Sequence, residues 1–246
     1  MNKKKPAKVV ESCGMNPPKQ SRTHRRVMQV IQTTEKLLMK MGLEALSIPE
    51  IAQVAKIPRA SIYQFFPTKY DLLHHITELH LQKLVNQLKE VCTKVIREHP
   101  NESMTAYGRM IAAAVIDTSA QFYNDSAVAR LLILTGPLNQ HVYLRHQMEL
   151  QKFSQDLRDS LKEIHVNDYM PQQPDSMLMI IEMIFSCMKH GFYTENRISD
   201  RICEEAYRLA TAYLNALKEG QFSLREQRCF TAQIDTKKRL ESAMAD

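Results

Sequence analysis

The sequence predicts an all-α fold, with a small N-terminal helical domain followed by a larger C-terminal one. Apolar residues recur at spacings of three and four through long stretches of the chain, which is typical of helices that pack on one face. No alternating strand pattern of useful length occurs, and the 246 residues include only 6 Gly and no Trp. A chain of this length buries a sizeable core without disulfide bonds.

The first predicted helix covers residues 22–41, where apolar positions such as Val27, Val30, Ile31 and Leu38 follow helical spacing. A second helix should begin at Ile48, because Ser47 can cap its backbone while the Glu50 side chain reaches back to the N–H of Ser47. The proline that follows Ile48 suits a first helical turn. The face expected to pack inward is formed by Ile51, Ala52, Val54 and Ala55.

A third helix fits between Pro58 and Phe66, because Thr68 and Asp71 form another capping box that starts a long helix. Its inward positions are Ile62, Phe65 and Phe66, and its outward positions are Arg59, Ala60, Ser61, Tyr63 and Gln64. Arg can read guanine, Gln can read adenine, Ala can contact a thymine methyl, and hydroxyls can bond phosphates or base edges. The spacing therefore indicates a DNA-reading helix-turn-helix at about residues 47–66; the alternative is an ordinary helical hairpin with a polar outer face.

This segment resembles the DNA-binding domain of the tetracycline-repressor (TetR) family over roughly residues 24–84. The residues that match the family pattern are Gly42, Ser47, Ile51, Ala52, Tyr63, Phe66, Thr68, Lys69, Leu72 and Leu73. The resemblance implies that Tyr63 and Lys69 hold phosphates while the outward face of the third helix enters the major groove. The full set of expected DNA contacts is Arg26, Ser47, Arg59, Ala60, Ser61, Tyr63, Gln64, Thr68 and Lys69.

Two departures from the family pattern lie in the motif itself. Lys56 stands where the family usually has Gly in the turn, so either a Lys adopts left-handed geometry or the turn differs. Pro58 replaces the usual Ser before the reading helix. Both changes could alter how that helix enters the groove.

The positive charge is concentrated ahead of this domain. Residues 1–26 carry eight Lys or Arg against Glu11 alone, a balance of +7, which leaves about −1 for the rest of a chain with net charge +6. We expect residues 1–20 to be a disordered basic arm that lies along phosphates or reaches into a minor groove, or else a solubilising tail.

The long helix is expected to run from Thr68 toward His99, with further helices at about 102–123, 126–134, 138–163, 175–190 and 199–219. Gly191 is expected to cap the helix that ends at His190. The predicted domains are a helix-turn-helix domain at 21–75, a ligand-binding and dimerisation domain at 76–220, and a tail or short helix at 221–246.

The resemblance implies that the last two helices pair with those of a second subunit. Their apolar stripes, the expected dimer interface, are Met177, Ile181, Ile184 and Met188, then Ile202, Ala206, Leu209, Tyr213 and Leu217. The alternative is that these stripes form the core of a single chain. The resemblance also implies a small-molecule pocket, for which the candidate lining is Tyr107, Met110, Ile111, Phe122, Tyr123, His141, Arg145 and Met148.

Several kinds of protein are disfavoured by the composition. The five Cys show no C-x-x-C or zinc-finger spacing, so we expect reduced thiols and no metal or cofactor. No run of eighteen apolar residues or signal peptide occurs, so the protein should be cytoplasmic with no membrane partner. Phosphate loops and hydrolase motifs are missing, so we expect no enzyme and no catalytic residues.

The sequence thus predicts a dimeric regulator, most simply a repressor that a small molecule releases from a palindromic double-stranded DNA operator. One alternative is a nucleic-acid-binding protein that uses the basic arm without sequence preference. Another is an enzyme within the helical C-terminal half.

Overall fold

The computed structural model describes residues 21–135, 140–164 and 170–219. Within these ranges all regular structure is helical, so the predicted all-α fold is confirmed. The helices are α1 (Ser21–Ala45), α2 (Ile48–Ala55), α3 (Arg59–Tyr63), α4 (Lys69–Glu98), α5 (Met104–Asp125), α6 (Ala127–Leu134), α7 (Gln140–Glu163), α8 (Ser176–Glu195) and α9 (Asp200–Glu219). The expected basic arm at 1–20 and the tail at 221–246 lie outside the described ranges.

The N-terminal helices close around a small hydrophobic core. Its members are Val27, Val30, Ile31, Leu37, Leu38, Leu46, Ile48, Ile51, Ala52, Ala55, Ile57, Ile62, Phe66, Leu72, Leu73 and Ile76, with Leu132 from α6. Helix α1 is longer than predicted and continues beyond Gly42, where a positive φ of 79° kinks it. Val54 was expected to pack inward but is 58% exposed, since α2 turns that position toward solvent.

Helix α4 joins this core to the larger C-terminal one. Its first turns, through Ile76, pack in the N-terminal core, whereas positions from Leu81 onward pack among α5 to α9. The predicted domain boundary at residues 75 and 76 therefore falls inside a continuous helix of 30 residues. At 1.5 Å per residue this helix is about 45 Å long and spans both hydrophobic cores.

Ion pairs tie α4 to its neighbours on both sides. His80 Nε2 lies 2.8 Å from Glu35 of α1, and Lys89 Nζ lies 2.6 Å from Asp156 of α7. Because exposed ion pairs contribute little to stability, their effect is mainly to set how α1 and α7 sit against α4.

The α8–α9 hairpin corrects the predicted cap at Gly191. Helix α8 continues through Gly191 to Glu195, and Asn196 in left-handed geometry ends it instead. A Cβ on Gly191 would lie 3.0 Å from Ile202 Cγ1 and 3.1 Å from the backbone oxygen of Arg197. The glycine is thus required by close packing of α9, not by helix termination.

Gly191→Ala is expected to lower the free energy of unfolding by about 1–3 kcal/mol, because the added methyl meets a backbone oxygen that cannot move away cheaply. The matched control is Gly108→Ala, whose Cβ would meet only the side-chain tip of Leu214, at 3.0 Å. That change should be neutral or stabilising, since Ala is the better helix former. Equal stability of the two variants in urea unfolding would contradict this packing role.

Candidate functional site

Helix α2 begins as predicted at Ile48, although its capping contacts differ in one respect. The Ser47 hydroxyl oxygen accepts the backbone N–H of Glu50 at 3.4 Å. The carboxylate of Glu50 then accepts the Ser47 hydroxyl at 2.8 Å, rather than the expected backbone N–H. The Ser47 hydroxyl is thus engaged both as donor and as acceptor, and its DNA contact stays a prediction.

The turn between α2 and α3 contains Lys56 in left-handed geometry, with φ 53° and ψ 39°. Its backbone N–H donates to the carbonyl oxygens of Ala52 and Gln53, and the N–H of Ile57 donates to Ala52 at 3.1 Å. The sequence left two possibilities for this turn, and the structure shows the first of them: a lysine in left-handed geometry. The turn is a fully hydrogen-bonded helix C-terminus made without glycine.

A side chain of α1 donates a hydrogen bond to the residue that precedes this turn. Gln29 Nε2 donates to the carbonyl oxygen of Ala55 at 2.8 Å, across 26 residues of sequence. This contact was not predictable from the sequence, because Gln29 is one polar residue among several on the first helix and belongs to no motif. It ties α1 to the last residue of α2, directly before the turn.

Helix α3 presents the predicted outer face on a buried base. Ile62 is 1% exposed and Phe66 is fully buried, whereas Phe65 is only partly buried. The helix is shorter than predicted, ending at Tyr63. Arg59, Ala60, Tyr63 and Gln64 are exposed, and Ser61 is half-buried. The described part of the chain therefore holds a short polar ridge that can enter a groove.

Two further predicted DNA contacts, Arg26 and Thr68, lie outside α3. Arg26 is exposed on α1. The Thr68 hydroxyl donates to Asp71 Oδ2 at 2.7 Å while its oxygen accepts the Asp71 backbone N–H, which completes the expected capping box.

Lys69 is the candidate whose surroundings argue against its expected role. Its ammonium donates to the carbonyl oxygens of Leu43 at 3.2 Å, Glu44 at 3.4 Å and Leu46 at 3.2 Å. It therefore caps the end of α1 and ties that end to the start of α4. A phosphate contact would have to compete with these three bonds.

Three carboxylates of this domain accept hydrogen bonds from nearby groups. Glu50 is bonded to Ser47, Asp71 to Thr68 and Glu35 to His80. Burial lowers the pKa of His75, whose ring lies 5.7 Å from that of Phe66, and the nearby carboxylate of Glu78 opposes this shift. The lowered pKa favours the neutral form of this imidazole.

The predicted ligand contacts do not converge on one cavity. An apolar cavity of about 40 Å³ lies between α5, α7, α8 and α9, and Ile111 is the candidate that lines it. Tyr107 is fully buried and donates to the carbonyl oxygen of His99 at 2.6 Å, so it packs in the core. Arg145 pairs with Glu78, and Met148 is 67% exposed.

The other candidates are equally scattered. Phe122 and Tyr123 are buried core residues, Met110 is half-buried, and the side chain of His141 lies outside the described part. Burial raises the pKa of Tyr123, and its hydroxyl has no hydrogen-bond partner among the described residues. Burial lowers the pKa of His146 to about 4, which keeps that imidazole neutral.

The predicted dimer interface stays a prediction, and its residues lie on α8 and α9. Six of the nine predicted residues lie in the core of this one chain, and they are Met177, Ile181, Ile184, Met188, Ile202 and Ala206. Tyr213 and Leu217 are partly buried against that core, and Leu209 is 50% exposed. Most residues of both stripes therefore lie in the core of a single chain, which is the alternative that the sequence left open. The apolar side chains left exposed on these helices are Met179, Tyr193, Tyr207 and Leu209.

The functional motifs lie within a segment that matches a known family. Residues 30–76 match the sequence model described as "Bacterial regulatory proteins, tetR family". No functionally curated protein matches the chain.

Solved structures resemble the whole described fold. A TetR-family transcriptional regulator from Streptomyces coelicolor is 18% identical, with a TM-score of 0.58, covering 78% of this chain and 97% of its own. A putative TetR-family transcriptional regulator from Mesorhizobium loti is 17% identical, with a TM-score of 0.57, covering 80% of this chain and 97% of its own. FadR from Bacillus subtilis, solved in complex with stearoyl-CoA, is 13% identical with a TM-score of 0.55, covering 79% and 99%. At these identities the likeness concerns the fold.

Proposed function

We infer that this chain, which belongs to the tetR family of bacterial regulatory proteins, is a DNA-binding transcription regulator whose hold on its operator is released by a small molecule. The resemblance predicted over roughly residues 24–84 is confirmed by the family match over residues 30–76. The observation that carries the proposal is the exposed ridge of α3, supported on Ile62 and Phe66 and reached through a hydrogen-bonded turn.

The ridge offers both kinds of DNA contact. Arg59 and Gln64 carry the side chains suited to guanine and adenine edges in the major groove. Tyr63 and Ser61 carry hydroxyls that bond to phosphates and so set the register of the helix.

No helix within the described ranges is both long enough and apolar enough to cross a membrane.

The regulator acts as a homodimer in this proposal. Support comes from the outer face of α8 and α9, where Met179 is 41% and Leu209 is 50% exposed. Exposed apolar side chains along one helix pair are typical of a surface that a second copy covers. A two-fold dimer would present two α3 helices to half-sites about one DNA turn, roughly 34 Å, or a multiple apart.

The apolar cavity supports an effector that is at least partly hydrocarbon. Its lining includes Phe153, Leu157, Met170 and Ile181, and it offers no charged side chain. The cavity is smaller than any drug-sized molecule, so binding requires side chains such as Met170 to move. A ligand releases DNA only if it binds the DNA-incompetent state more tightly.

A second candidate function is sequence-independent nucleic-acid binding, favoured by the +7 balance of residues 1–26. It predicts that affinity depends steeply on salt and hardly on sequence. Catalysis is not part of the proposal: the family and the fold are those of transcription regulators.

Selection from a random-sequence DNA library tests the proposal. The regulator should enrich one sequence with two inverted half-sites about one helical turn, or a multiple, apart. Excess non-specific DNA is added to the wild-type protein as competitor. The control is the same library carried through the selection without protein. Recovery of unrelated sequences at equal frequency would favour the sequence-independent binder.

A further inference from the structure

We propose that Lys56, in the turn before α3, is a phosphate-binding residue of the DNA interface and the reason that a strained turn is retained there. The inference rests on the proposed DNA binding. It adds a contact that was not among those expected from the sequence.

The backbone of Lys56 is in a conformation that non-glycine residues rarely adopt. Its φ of 53° lies in the left-handed region, where Cβ crowds the neighbouring carbonyl oxygen. Such strain persists where the surroundings impose it and often marks a functional position. A glycine would adopt the same turn without strain, so what Lys56 adds at this position is its charged side chain.

The surroundings fix the turn firmly. The flanking residues Ala55 and Ile57 are 2% and 7% exposed, so both are anchored in the core. Gln29 holds the carbonyl of Ala55, and the Lys56 N–H bonds back to α2. With both neighbours buried, the turn presents Lys56 to solvent, together with Pro58 just before α3.

The Lys56 side chain is exposed and, among the described residues, its ammonium forms no hydrogen bond or ion pair. It stands three residues before Arg59, at the entrance of the reading helix. An ammonium on a flexible stem suits a phosphate, which it meets as a point charge from many directions. A helix that enters the major groove brings its preceding turn close to the sugar-phosphate backbone.

Lys69, the lysine expected to hold phosphate, is occupied elsewhere. Its ammonium donates to the carbonyl oxygens of Leu43, Glu44 and Leu46. The structure thus divides two tasks between two lysines: Lys69 positions the end of α1, and Lys56 supplies the charge.

Three substitutions separate charge from strain. Lys56→Gly removes both, Lys56→Gln removes the charge alone, and Lys56→Arg keeps the charge. Lys94→Gln is the matched control, because Lys94 is an exposed lysine far along α4. Each variant is titrated with a mixed-sequence DNA duplex at several salt concentrations, and its thermal midpoint is recorded.

We expect Lys56→Gly and Lys56→Gln to bind the duplex more weakly and to reduce the slope of log affinity against log salt by about 0.9, the value for one lost phosphate contact. Lys56→Gly should also melt at a higher temperature than wild type, so that stability rises as affinity falls. Lys56→Arg and Lys94→Gln should keep the wild-type slope.

Two results would overturn the inference while leaving the proposed function intact. One is a wild-type salt slope in both Lys56→Gly and Lys56→Gln. The other is weaker binding confined to Lys56→Gly, which would assign the effect to the turn and not to the charge. A wild-type protein that binds no duplex at any salt concentration would overturn the proposed function as well.

Discussion

Replacing Arg158 by Met should lower the free energy of unfolding by about 3 kcal/mol, the lower end of the range for breaking a buried ion pair. Arg158 is 2% exposed and donates to Asp175 Oδ1 at 2.8 Å and to the carbonyl oxygens of Met170 at 3.3 Å and Pro171 at 3.1 Å. Removing it leaves the Asp175 carboxylate, 22% exposed, without its cation. The chain leading into α8 would lose its main attachment to α7.

Asp175 contributes to the same cluster through several acceptor bonds. Burial of the carboxyl opposes ionisation, but hydrogen bonds from Arg158, Ser154 and the N–H of Leu178 outweigh it and lower the pKa of Asp175 below the ordinary value of 3.8. A lowered carboxyl pKa stabilises the fold fully above the ordinary pKa, and this stabilisation is lost as pH falls through the folded-state pKa. Acid below about pH 4 should therefore weaken the wild type more than Arg158→Met.

Urea unfolding at pH 7 and at pH 3 measures both effects. Asp175→Asn combined with Arg158→Met is the control, since it removes the unpaired charge and should recover part of the loss. Wild-type stability in Arg158→Met at pH 7 would show that the cluster does not hold α7 to α8.

The starts of the helices were predictable because they depend on neighbouring residues. Ser47 and Thr68 each contact a residue three positions ahead, and this spacing is visible in the sequence. The polar outer face of α3 followed from helical periodicity for the same reason.

Contacts between distant residues were not predictable in this way. Lys69 reaches carbonyl oxygens 23 to 26 positions earlier, and Gln29 reaches Ala55 26 positions later. Nothing in the identity of a lone Lys or Gln names such a partner. The cap expected at Gly191 failed for a related reason: a glycine may serve either a helix end or close packing, and only the position of Ile202 decides.

The predicted dimer interface shows the limit of helical periodicity as a guide. Helix α8 has apolar residues on more than one face, and the regular spacing of Met177, Ile181, Ile184 and Met188 does not reveal which face meets a second chain. The structure buries that stripe within its own core and leaves Met179 exposed. A hydrophobic stripe predicts burial, but the partner that buries it depends on the packing of the other helices.

The other large effect concerns the ridge of α3. Arg59→Ala and Gln64→Ala should each weaken binding to the operator by about 1–3 kcal/mol, because each removes one bidentate base contact. Both side chains are exposed, Arg59 at the start of α3 and Gln64 just after its end, so stability should change by less than about 0.5 kcal/mol. Ala60→Ser on the same ridge is a mild control.

The measurement that tests the central claim most directly is a gel-shift comparison, at one fixed salt concentration, of the selected operator with a shuffled duplex of equal composition. Wild type is expected to prefer the operator strongly. The double variant Arg59→Ala with Gln64→Ala is expected to lose most of this preference while it binds the shuffled duplex almost as before. A double variant that keeps the wild-type preference would contradict the claim that α3 reads the DNA sequence.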